Sequence, residues 1–95
     1  MRESAVEKYL VLRVSENGGR AEKFTSPNRA HVPDRLVLWP GGRAEFVELK
    51  APGKIPTVMQ ARDHARRRAM GFSVFVLDSI GAVDVYIRIS KETEA

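Results

Sequence analysis

The chain has 95 residues, with sixteen cationic side chains against twelve acidic ones, a net charge of +4; eleven of the cations are arginine. That length fits one domain with a modest core, to which a partner subunit would add burial. With no cysteine and two histidines, it excludes disulfides, thiolate zinc sites, cysteine nucleophiles and a histidine-rich metal site.

Residues 2–16 predict a helix. Glu3, Glu7, Leu10 and Val14 recur along one face, with Val6 close by. Both acids are then expected to face inward, although first-turn acids are also favoured simply by the helix dipole. The charges at Glu3, Glu7, Lys8 and Arg13 deny this segment the apolar core of a signal peptide. No stretch is long and apolar enough to span a membrane, so a cytoplasmic setting is expected, and the compactness and lack of partner domains hint at a bacterial cell or a phage-infected host. "NGG" at 17–19 stops the helix. Residues 20–25 read as a short strand, and "SPNRAHVP" as a loop carrying Arg29 and His31.

"RLVLWPGGRAEFVELK" predicts a β-hairpin around Pro40–Gly42. A three-residue loop pairs Trp39 with Arg43, Leu38 with Ala44, Leu36 with Phe46 and Asp34 with Glu48. One face then carries Leu36, Leu38, Ala44 and Phe46 and ends in two acids. A two-residue loop instead sets Arg35 opposite Glu48 as an ordinary ion pair. Trp39 and Tyr9 are read as exposed residues, with an interface or the hairpin's outer face as their place.

Residues 57–70 predict a second helix, opened by a Thr57–Gln60 capping box. Val58, Ala61, Ala65 and Ala69 form a narrow face suited to lying on a sheet, and arginines crowd the remainder. "FSVFVLD" (72–78) reads as a buried central strand. Residues 80–90 fit two patterns. Val83, Val85, Ile87 and Ile89 alternate as in a strand, whereas Ile80, Val83 and Ile87 with Tyr86 fit a helix. The "KETEA" tail is expected to fray.

Glu48 and Lys50 share one side of their strand, about 7 Å apart. A glutamate on a sheet's covered side is costly unless paired or bound to a cation. With Asp34 across the hairpin and the Leu49 carbonyl between, the donors suit Mg²⁺, which takes one or two carboxylates plus waters and phosphate. Such an ion polarises a phosphoryl oxygen and acidifies a water. Lys50 would orient or deprotonate that water, or steady charge on the phosphate. A plain Glu48–Lys50 or Asp34–Arg35 surface ion pair is the alternative.

"HVPDRLVLWPGG", "FVELKAPG" and "TVMQARDHARRRAMGF" resemble the VRR-NUC domain of the PD-(D/E)xK nuclease superfamily, over about Arg2 to Asp78. The resemblance implies one α/β nuclease domain over 1–95. Its core would be restriction-endonuclease-like (αβββαβ), a mixed sheet flanked by helices. It implies Asp34, Glu48, Lys50 and Gln60 as catalytic residues, with a helix acid, Glu3 rather than Glu7, joining them. Asp34, Glu48, the Leu49 carbonyl and Glu3 would bind Mg²⁺ or Mn²⁺. It tilts the 80–90 segment toward helix. His31 stands where the family more often has glycine, and contact with substrate is one reading of it.

The implied function is hydrolysis of DNA phosphodiester bonds by a structure-specific endonuclease. It would act as a homodimer on branched DNA such as four-way junctions, without sequence readout. Lys54, Arg62, Arg66 and Arg67 are the expected phosphate contacts. The rival is a non-catalytic nucleic-acid-binding module using the same basic surface.

Overall fold

A computed structural model describes residues 1–93. Its elements run α1 (Glu3–Glu16), β1 (Arg20–Lys23), β2 (Arg35–Trp39), β3 (Arg43–Leu49), α2 (Val58–Ala69), β4 (Val74–Leu77) and α3 (Ile80–Glu92). The four strands lie in sequence order. β1, β2 and β3 form an antiparallel meander, and β4 runs parallel to β3. The sheet is therefore mixed and flanked by helices, as expected.

The hairpin takes the three-residue loop. Trp39 pairs with Arg43, Leu38 with Ala44 and Leu36 with Phe46. Gly41 and Gly42 both adopt positive φ, 90° and 87°, which glycine accepts without steric cost. The register carries Asp34 to the level of Glu48, just beyond the last paired residue. Arg35 does not pair with Glu48; its Nε donates to Glu7 Oε2 at 3.0 Å and its Nη1 to the Ala21 carbonyl.

The deep core lies on the other side of the hairpin from Leu36, Leu38, Ala44 and Phe46. Val37, Trp39, Val47 and Leu49 are buried against Val6, Leu10 and Val14 of α1 and Val83, Tyr86 and Ile87 of α3. Trp39 is thus a core residue, 4% exposed, and not an outer-face one. Its Nε1 donates to Glu45 Oε1 at 2.9 Å, and the Tyr86 hydroxyl donates to the same oxygen at 2.8 Å. Tyr9 is half-buried and its hydroxyl donates to Asp84. On α1 the inward stripe is Val6, Leu10 and Val14. Glu3 is exposed, and Glu7 lies at the margin with Arg35.

Two expectations are corrected on the sheet's second face. α2 covers that face, but Val58, Ala61, Ala65 and Ala69 point to solvent; the buried α2 residues are Asp63 and His64. The helix turns polar groups inward because the surface beneath it carries Glu48 and Lys50. The run 72–78 supplies a strand of four residues at the sheet edge, not the centre, because the next segment does not continue the sheet.

That segment is helix α3. Ser79 caps it, accepting the Ala82 N–H at 3.0 Å. Val83, Tyr86, Ile87 and Ser90 are buried at helical spacing, while Val85 and Ile89 of the strand-like alternation are exposed. Lys91 and Glu92 complete α3, and Glu94 and Ala95 of the tail lie outside the described residues. No helix among the described residues is long and apolar enough to cross a membrane.

Candidate active site

At the end of β3 the chain passes from the buried Leu49 to Lys50, between Asp34 and the start of α2. The Leu49 N–H donates to Asp34 Oδ2 at 2.8 Å. One carboxylate oxygen of Asp34 is thereby fixed against the strand carrying Glu48 and Lys50, and the other is left to the site. Phe24 closes the opposite side, its N–H donating to the Asp34 carbonyl at 3.0 Å.

Gln60 is the hub. Its backbone N–H donates to Thr57 Oγ1 and its Oε1 accepts the Thr57 N–H, so the capping box is complete. The same Oε1 accepts from Lys50 Nζ at 2.7 Å, and Nε2 donates to Glu48 Oε2 at 3.0 Å. The capping residue and the site residue are therefore one side chain serving both at once. Lys50 Nζ stands 3.5 Å from Glu48 Oε2. One amide thus fixes the separation of an ammonium and a carboxylate that share a strand face.

Glu48 is 2% exposed. Its carboxyl is pushed up to about 7, first by burial and next by the charge of Asp34; Lys50 opposes the shift. Glu48 Oε1 has no hydrogen-bond partner among the described residues. This unpaired buried oxygen, beside a second carboxylate, fits a divalent cation: the charge that burial penalises is what a cation would neutralise. The described residues hold no group of three or more His, Cys, Asp or Glu side chains gathered for a metal. The fit is therefore the sparse one of Mg²⁺, in which Asp34, Glu48 and a backbone carbonyl such as that of Leu49 are completed by solvent and phosphate.

The remaining sequence-predicted residues lie outside the hydrogen-bonded set at this centre. Glu3 makes no described contact with it. Lys54, Arg62 and Arg66 are exposed. Arg67 is turned inward: its Nε donates to Asp63 at 2.8 Å and its guanidinium lies 4.6 Å from the Phe46 ring centroid and 5.3 Å from that of Phe24. A cavity of about 640 Å³ opens beside it, lined by Phe24, Ser26, Arg29, Asp63, Arg66 and Met70 among others. His31 is exposed in its loop.

Sequence reading missed His64, which is 1% exposed with Nε2 3.8 Å from Glu48 Oε1. The available signal was position: Gln60, Asp63, His64 and Arg67 recur at three and four residues, a polar stripe on one helix face.

No family model matches the sequence. A solved structure described as "VRR_NUC domain" superposes with a TM-score of 0.87 at 38% identity, covering 90% of this chain and 94% of that one. "Putative nuclease p44" of Acyrthosiphon pisum secondary endosymbiont phage 1 is 56% identical over 79 residues, 83% of this chain and 85% of that protein. The chain belongs to the VRR-NUC family. The VRR-NUC fold accounts for the element order, including the helix that ends it.

Proposed function

We propose that this VRR-NUC chain is a metal-dependent endonuclease that hydrolyses DNA phosphodiester bonds, acting as a homodimer on branched DNA such as four-way junctions. The observation that carries the reading is the Asp34–Glu48–Gln60–Lys50 arrangement. It holds two carboxylates, one with a buried unpaired oxygen, beside a fixed ammonium at the open end of a sheet. The relationship to a phage protein named as a nuclease and the cationic surface support it.

In this mechanism Asp34, Glu48 and the Leu49 carbonyl would hold Mg²⁺ or Mn²⁺, and Glu3, exposed at the start of α1, would join directly or through water. The cation supplies Lewis-acid stabilisation of negative charge on the scissile phosphate. Gln60 keeps Lys50 extended across the site mouth, where its ammonium faces the charge that builds on the phosphate and orients the attacking water. Lys54, Arg62 and Arg66 contact neighbouring phosphates and set position without reading bases. Arg67, paired with Asp63 and lying on the Phe24 and Phe46 rings, itself lines the cavity with Phe24, Arg29 and Arg66. A two-fold dimer would place two such sites on a substrate of matching symmetry.

The test is incubation of four-way junctions, flaps and duplexes with the protein in Mg²⁺, Mn²⁺ or EDTA. Cutting is expected with either metal, strongest on branched DNA, and none in EDTA. Lys50→Ala is expected to lower the cleavage rate at least about 100-fold while DNA affinity stays within a few-fold. Binding without cutting by the parent protein would favour a non-catalytic module.

A further inference from the structure

The mechanism above uses Glu48 but not the buried contact His64 makes with it. Glu48 Oε2 takes the Gln60 amide and faces Lys50. Glu48 Oε1 faces His64 Nε2 across 3.8 Å, and neither atom has another partner among the described residues. Both side chains are almost fully enclosed, at 2% and 1% exposure. Leaving a buried donor or acceptor without a partner destabilises the fold. Two such atoms facing one another have a simple common solution, and because a carboxylate oxygen carries two lone pairs, Oε1 can accept from His64 and still present the other lone pair to a cation. The gap is roughly 1 Å longer than an ordinary N–H···O bond, within reach of a small rotation of the Glu48 carboxylate.

We propose that His64 is a positioning residue for the metal-binding carboxylate: its Nε2–H donates to Glu48 Oε1 and fixes the plane in which that carboxylate meets a divalent cation. The inference rests on the metal-nuclease reading and adds to it a residue outside the Asp34–Glu48–Lys50–Gln60 set. His64 reaches Glu48 from α2, one turn beyond Gln60, so one helix grips both ends of the carboxylate. An imidazole carrying its proton on Nε2 is the form this contact needs. Carboxylates that ligate metals are themselves held by hydrogen bonds, and losing such a partner typically weakens metal affinity 10- to 100-fold.

The experiment is calorimetric titration of Mn²⁺ into the full chain without DNA, for the parent, His64→Leu and His64→Gln, with thermal unfolding of each in EDTA. His64→Leu is expected to bind Mn²⁺ about 10- to 100-fold more weakly. His64→Gln, which restores an N–H donor at similar reach, is expected to recover most of the affinity. Cleavage by His64→Leu should fall at low Mn²⁺ and return as Mn²⁺ is raised. If His64→Leu does not fold, His64→Phe keeps a ring without the donor and takes its place. A donor-free variant that folds and binds Mn²⁺ as tightly as the parent would overturn the role, as would a glutamine variant no better than the donor-free one. A parent protein that binds no Mn²⁺ would remove the metal reading and this role together, whereas normal parent binding with an unaffected variant removes this role alone.

Discussion

Glu48 bears the clearest conflict between stability and function. Its carboxyl is raised from 4.5 to about 7, chiefly by burial. The folded protein therefore keeps a proton there that the unfolded chain has already lost between those pH values. The associated stability is full below about 4.5 and is lost as pH rises through 7. Metal-free protein should therefore unfold at lower temperature at pH 8 than at pH 5. Glu48→Gln, which cannot ionise, should flatten that dependence and melt higher than the parent at pH 8 in EDTA, while cleaving no DNA. Thermal unfolding of both proteins at the two pH values checks it. His31 shows a different residue-scale constraint. It is the one non-glycine among the described residues with positive φ, at 65°. Glycine adopts that left-handed backbone without steric cost, whereas a side chain there is strained. His31→Val is expected to cost about 1–2 kcal/mol in urea unfolding, and His31→Gly to change stability by less than about 1. The motif residues were legible because their types and spacing are unusual on a strand. His64 was not, since its signal lies only in the helical stripe it shares with Gln60, Asp63 and Arg67, and a polar stripe is ordinarily read as a solvent face.

Among the elements, α2 carries the most instruction. Its start was readable from Thr57 and Gln60, because capping is local chemistry. Its orientation was not. Apolar periodicity assigns Val58, Ala61, Ala65 and Ala69 to the sheet, yet the helix buries Asp63 and His64. A helix that covers a charged site inverts the usual pattern, and hydrophobic spacing then points the wrong way. The hairpin register was readable because "PGG" fixes the loop, whereas the depth of its two faces depended on where α1 and α3 settled. In α3 the alternating valines and isoleucines competed with a helical set. The Ser79 cap and the 83–86–87–90 spacing match the outcome. The dual service of Gln60 separates two effects that a single variant would confuse. Thr57→Ala removes the cap and should cost about 1 kcal/mol with cleavage largely kept. Gln60→Ala should cost a similar stability and also reduce the cleavage rate by about 10-fold or more, since Lys50 and Glu48 lose their common partner. Denaturant titration beside initial cleavage rates distinguishes the two.

For the whole molecule, the layers explain why the site lies where it does. α1 and α3 close the apolar face of the sheet, which frees the other face to carry charge under α2. The four-stranded sheet ends at β4, and the exposed apolar side chains Ile55, Val58, Met59, Met70 and Phe72 lie around α2 and its flanks. A homodimer would give a mass in solution of twice the 10.6 kDa chain, and light scattering at micromolar concentration reads it directly. The most direct test of the central claim, that Asp34 and Glu48 together hold a catalytic divalent cation, is an anomalous difference map from a crystal soaked in Mn²⁺. The expected result is one strong peak about 2.0–2.3 Å from an oxygen of each carboxylate, with the Lys50 ammonium alongside. No peak there, or a peak held by other residues while the crystals' protein still cuts DNA, would contradict it.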